Sequence, residues 1–121
     1  MKNAGGFLAL FFLTLGLTGL CGLGSLQADA GVNLPQSDLA LGEQIYKKAC
    51  FACHDSGLLG APKLGSAAEW KPKIEKGMDA LFHNVINGYQ GATGYMPPRG
   101  GMDLSDEEVF SALTFMVEKS R

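Results

Sequence analysis

Cysteine and histidine are scarce here: the 121 residues hold three cysteines and two histidines. Cys21 falls in an apolar N-terminal stretch, so beyond it only Cys50 and Cys53 remain. One pair this close in sequence cannot provide the disulfide framework of a small stapled domain. A structural zinc asks for a second ligand pair, and His54 with His83 stand at a spacing unlike the usual patterns. An excess of one charge is missing too. The formal net charge is −2, which gives no general reason to expect nucleic acid or an anionic membrane surface as partner. Strand alternation, internal repeats and low-complexity tracts are absent. Without a βαβ pattern, a thioredoxin-like role for two nearby cysteines has no scaffold.

The chain has one long apolar run. Lys2 is the only early charge, and Ala4 to Leu26 carries none. Ala28 and Ala30 place small residues where a signal peptidase reads. Residues 1–30 are therefore expected to be a secretory signal peptide cut after Ala30, which implies a periplasmic protein. Two alternatives stay open. The run is about long enough to span a bilayer as an uncleaved anchor, although its glycines weaken it as a helix. Cys21 could also be the acylated residue of a lipoprotein, but Leu20 in front of it is larger than such sites favour. Cleavage removes Lys2 and Asp29 together, so the net charge is unchanged. Residues 31–121 then form one domain, and a domain this small buries only about 60–65% of its unfolded surface. It needs a disulfide, a metal or a large cofactor to fold stably.

The stretch Cys50-Phe51-Ala52-Cys53-His54 supplies a way to hold one. Cysteines at i and i+3 lie on one side of a helical turn, where both can add to haem vinyl groups. His54 follows directly and can present its ring to the iron. This is the covalent attachment signature of haem c, and it accounts for every residue of the motif. Two ordinary buried cysteines beside a surface histidine would be the bland alternative.

Around the motif the pattern is helical. Ser37 or Asp38 caps a helix running to about Ala52, with Leu41, Ile45, Ala49 and Ala52 at helical spacing. Asp55 to Gly65 reads as a loop. A short helical turn is expected before Pro72. Met78 to Asn87 is a helix with Leu81, Phe82, Val85 and Ile86 on its apolar side and Gly88 as its stop. Gly88 to Asp103 is a second loop. The last helix starts at Ser105, where Ser105 and Glu108 form a capping box, and ends near Lys119. Its expected inward stripe is Phe110, Leu113, Thr114 and Val117. The fold class is all-α, with three to four short helices around one covalently bound haem.

These residues resemble a bacterial class I cytochrome c, and most nearly its small "c-five" type, over Leu39 to Val117. The resemblance implies that Gly42 and Tyr46 pack the first helix against the last. It implies that the Pro62 carbonyl in "GAPKLG" accepts a hydrogen bond from His54 Nδ1, and that "GYMPPRGG" is a methionine loop. Members of this branch often carry a further cysteine pair after that loop, and "GGMDLSDE" has none.

The sixth iron ligand must come from Met78, Met96, Met102, Met116 or His83. Met78 and Met116 sit in helices, where methionine usually fills gaps in the core, and His83 on its amphipathic helix suits a solvated role. Pro97 and Pro98 stiffen the segment after Met96, which favours Met96, with Met102 as runner-up. Trp70 is a candidate haem contact whose N–H can reach a propionate. Leu64, Tyr46, Phe82 and Ile86 are the expected haem-pocket residues.

His/Met ligation fills both axial positions and suits electron transfer, not bond-making. The expected function is a periplasmic monohaem single-electron carrier, monomeric and not an enzyme. Its partners would be redox proteins, with no nucleic acid, and a membrane only if the N-terminal segment stays uncleaved. Two alternatives remain: a haem c subunit of a two-protein oxidoreductase, and a five-coordinate gas-binding or peroxidatic haem protein. The resemblance implies that several of Lys47, Lys48, Lys63 and Arg99 surround the haem edge, with the acidic "DLSDEE" away from it. Arg99 could instead engage a propionate.

Overall fold

The computed structural model describes residues 33–121; the expected export segment and Cys21 lie outside the described residues. The first helical run begins at α1 (Leu39–Ile45). Asp38 is its cap, with Oδ1 accepting from Ala40 N at 2.8 Å and from Leu41 N at 3.1 Å. These bonds satisfy backbone donors that a helix start otherwise leaves free. The run passes through a π-helical turn, Tyr46–Cys50, into α2 (Phe51–His54). A π turn takes one extra residue and slips the inward face by one position. Ala49, Cys50, Cys53 and His54 therefore turn inward, while Ala52, expected on the apolar stripe, is exposed.

Helix α3 (Ala67–Ile74) runs through Pro72 instead of ending before it. In a helix of two turns the proline removes only one internal bond, and the buried Trp70 anchors the segment. Helix α4 (Met78–Asn87) has the expected bounds, and Gly88 follows it at φ +82°, a conformation open to glycine. The second loop is more ordered than expected. Strands β1 (Tyr89–Gln90) and β2 (Tyr95–Met96) pair antiparallel, with Tyr89 opposite Met96. Strands of two residues are too short to show alternation in a sequence. A 3₁₀ turn, Pro98–Gly101, closes the loop.

Helix α5 (Asp106–Ser120) is the centre of the molecule. Its capping box is formed: Ser105 Oγ accepts from Glu108 N at 3.2 Å, and Glu108 Oε2 accepts from Ser105 N at 2.8 Å. Buried positions extend beyond the expected stripe to Val109, Ser111, Ala112, Phe115 and Met116, while Thr114 is only half-buried and bonds back to the Phe110 carbonyl. The helix is covered on several sides because α1, α3 and α4 all pack against it. Gly42 makes the α1 crossing possible. A Cβ there would stand 2.2 Å from the Ser111 carbonyl oxygen and 2.9 Å from Phe115 Cβ. Asp38 N donates to Ser111 Oγ at 3.0 Å across the same contact. Tyr46 packs its ring on Phe115 at 5.7 Å between centroids. Among the described residues, no helix is long and apolar enough to cross a membrane.

Candidate haem site

The helices leave a cavity of about 400 Å³, within the range of small-molecule and cofactor sites. Cys50, Cys53 and His54 reach it from the end of the first helical run, and Met96 reaches it from β2. Thus the motif and Met96 share a single cavity although they lie far apart in sequence. Helix α5 contributes Val109, Ala112, Leu113 and Met116 to the wall. The lining is mainly apolar, and that excludes water from whatever fills it.

His54 is 9% exposed. Its Nδ1 lies 2.8 Å from the Pro62 carbonyl oxygen, and since a carbonyl only accepts, Nδ1 carries the proton. The other ring nitrogen, Nε2, keeps its lone pair as a ligand. Burial pushes the His54 pKa down, opposed in part by the Pro62 bond, so the neutral ring is favoured. Leu64 N donates to the His54 carbonyl at 2.7 Å, tying the loop to the motif on its backbone side as well.

Cys50 and Cys53 are free thiols, with no disulfide between them. Burial, with Cys53 adding to it, pushes the Cys50 thiol up to about 11. A thiol so shifted holds almost no thiolate at neutral pH, which disfavours disulfide exchange as its role. Among the described residues no group of three or more His, Cys, Asp or Glu is placed to hold a bare metal ion. An apolar cavity, two reduced thiols at its wall and one histidine with an oriented Nδ1 fit a covalently attached haem.

The other candidate ligands separate by position. Met102 is exposed and lies outside the cavity wall, as do Met78 and His83. Met116 lines the cavity but sits in the buried middle of α5. Met96 is on a hairpin next to Pro97, which lines the cavity too.

Several expected wall residues are elsewhere. Leu81 and Val85 line the cavity, not Phe82 and Ile86. Both pairs are four apart on the same apolar arc of α4, and the arc is wide enough to serve two neighbours. Phe82 turns to α5, where its ring meets Phe110 edge-on at 5.3 Å. Tyr46 also faces α5, so Ile45 takes its place at the wall. Leu64 packs against the core outside the cavity. Trp70 lines the cavity, with its ring centroid 6.1 Å from that of His54. Its N–H, however, donates to the Lys63 carbonyl at 2.8 Å, so the single donor is spent on the histidine loop and not on a propionate. Lys73, in the last turn of α3, and Lys76, just after the helix, also reach the wall. Only the one-turn spacing of Lys73 from Trp70 hinted at it.

At the mouth the two loops touch. Leu59 has φ +53° and is 58% exposed, and Thr93 Oγ1 donates to its carbonyl at 3.3 Å. Gly94 is packed against it so closely that a Cβ would stand 2.5 Å from Leu59 Cβ. The side chains of Leu58, Leu59, Tyr89 and Tyr95 are exposed around this junction.

Comparison with known proteins agrees with this geometry. Residues 37–116 match the family model described as cytochrome C oxidase, cbb3-type, subunit III. Cytochrome c-555 of Chlorobaculum thiosulfatiphilum is 44% identical over 85 residues, covering 69% of this chain and 99% of that protein. Cytochrome c5 of Ectopseudomonas mendocina is 39% identical over 77 residues, covering 61% of this chain and 84% of its own. A cytochrome c chain solved in an electron transfer complex with nitrite reductase superposes with a TM-score of 0.63 at 40% identity, covering 71% of this chain and all of that one.

Proposed function

This chain belongs to the monohaem class I cytochromes c, an electron carrier with one covalent haem c and not an enzyme, and from that premise we propose a ligand set, a compartment and a class of partner. Cys50 and Cys53 would hold the haem by thioether bonds, His54 and Met96 would ligate its iron, and Pro62 and Trp70 would support the histidine side. The observation that carries this is the meeting of Cys50, Cys53, His54 and Met96 in one apolar cavity. The haem supplies the one-electron change at iron. The chain holds both ligands in place through that change. Pro62 fixes the His54 ring, and Pro97 with Pro98 restricts the backbone beside Met96. The apolar wall keeps water and substrates from the metal.

Residues 1–30 act as a signal peptide and residues 31–121 as the working domain in the periplasm. The apolar run and the Ala28–Ala30 site support this, and N-terminal sequencing of exported protein should begin at Gly31. The partner class is a redox enzyme or another carrier, in keeping with the nitrite reductase complex of the similar cytochrome. Whether it shuttles freely or stays bound as a subunit is decided by co-purification.

The ligand set is tested by substitution. In the oxidised protein, sulfur-to-iron charge transfer gives a weak far-red band. Met96→Ala should abolish it and open the iron to exogenous ligands, while Met102→Ala should leave it in place. Loss of the band in Met102→Ala alone would transfer the role to Met102.

A further inference from the structure

We propose that Arg99 is a positioning residue, a latch that holds the methionine loop against the start of α5. The inference rests on Met96 as the axial ligand. Arg99 has φ +53°, a left-handed conformation that non-glycine residues adopt at a cost. Such a conformation persists where the surroundings over-determine it, and here the side chain does so. Its Nη1 donates to the Leu104 carbonyl at 2.8 Å, and its Nη2 donates to Asp106 Oδ1 at 2.6 Å. Asp106 is the first residue of α5, and Leu104 is buried and lines the cavity. One planar fork therefore spans the end of the loop and the first turn of the helix, which a lysine could not do with two parallel bonds.

The rest of the loop shows why a latch is needed. On the N-terminal side Met96 is held by pairing with Tyr89. Pro97 and Pro98 resist bending within the segment, but they do not stop it from swinging as one piece. Gly100 rests on the Ala49 backbone, where a Cβ would lie 3.0 Å from the carbonyl oxygen. That is a packing contact with no directional bond. Among the described residues, the side-chain hydrogen bonds that tie the Pro98–Gly101 turn to Leu104 and to the first residue of α5 both come from Arg99. The guanidinium is engaged inside the chain, by the Leu104 carbonyl and the Asp106 carboxylate.

The test uses the oxidised holoprotein and its equilibrium binding of imidazole, which competes with Met96 for the iron. A loosened loop raises the apparent affinity by the factor by which the open state is populated. Two charge-assisted bonds of partly exposed groups set the expected scale. Arg99→Gln should bind imidazole about tenfold more tightly than wild type. Its far-red band should disappear at a lower temperature while far-ultraviolet circular dichroism is unchanged. Arg99→Lys should fall between the two. Glu107→Gln, in the same turn of α5, should match wild type. If Met96→Ala removes the band but Arg99→Gln binds imidazole no more tightly than wild type, the latch is overturned and the ligand assignment stands. If the band survives Met96→Ala, the assignment itself fails. Loss of helix and band together in Arg99→Gln would also overturn the latch, because the residue would then act on the whole fold.

Discussion

Gly42→Ala probes the crossing on which the cavity wall depends. The added methyl would meet the Ser111 carbonyl oxygen at 2.2 Å, the Ser111 carbonyl carbon at 2.7 Å and Phe115 Cβ at 2.9 Å. The first approach is about 1 Å inside normal contact. None of these atoms is the far end of a flexible side chain, so α1 and α5 must part. Overpacking of this kind costs about 1–3 kcal/mol. Alanine returns up to about 1 kcal/mol through better helix propensity. The Asp38 N to Ser111 Oγ bond, 3.0 Å long, spans the same crossing and stretches with it, which places the cost at the upper end. A net loss of about 1–2 kcal/mol is expected, seen as a lower midpoint in urea unfolding followed by circular dichroism. In a domain of this size that is a fall in Tm of roughly 5–15 °C. Gln44→Ala, on the exposed face of the same helix, should stay within about 0.5 kcal/mol of wild type. A Gly42→Ala protein as stable as wild type would refute the close-approach argument.

A further outcome follows from the surface charge. Electron transfer to a partner with an acidic face should slow as salt rises, and Lys73→Glu, at the cavity wall, should slow it more than Lys119→Glu; a rate indifferent to salt would mean apolar recognition.

Local chemistry was readable along the chain. The Asp38 cap, the Ser105–Glu108 box, the bounds of α4 and the Cys50–His54 motif each depend on residues within a few positions of one another. Rotational phase was not readable. The π turn at Tyr46–Cys50 moves Ala52 out and Cys53 in, and no residue type in "YKKAC" demands it. The apolar arc of α4 is visible in the sequence, but α5 takes Phe82 and the cavity takes Leu81 and Val85. Only the placement of α5 divides the arc, and that placement follows from Gly42, far away in sequence. Trp70 shows the same limit: its burial could be expected, whereas the Lys63 carbonyl that takes its N–H is fixed by the fold of the loop.

Charge shows how pairing, more than composition, shapes the surface a partner meets. Lys47 is engaged with Glu43 at 2.6 Å, and Lys71 with Glu75. Arg99 is engaged with Asp106, so the acidic stretch at the start of α5 lies beside the methionine loop and not away from it as expected. Exposed pairs of this kind add little stability, about 0–1 kcal/mol each, but they cancel charge locally. Among the described residues Lys48, Lys63, Lys73 and Lys76 form no ion pair within 4 Å. Lys73 and Lys76 reach the cavity wall, and Lys63 lies against Gly57 in the histidine loop. On the histidine-loop and α3 side Lys63, Lys73 and Lys76 therefore outnumber the unpaired Asp55 and Glu69, while at the methionine loop Arg99 is balanced by Asp106. Such an asymmetry would orient a partner with an acidic face toward one side of the cavity mouth before contact, even though the chain as a whole is slightly negative.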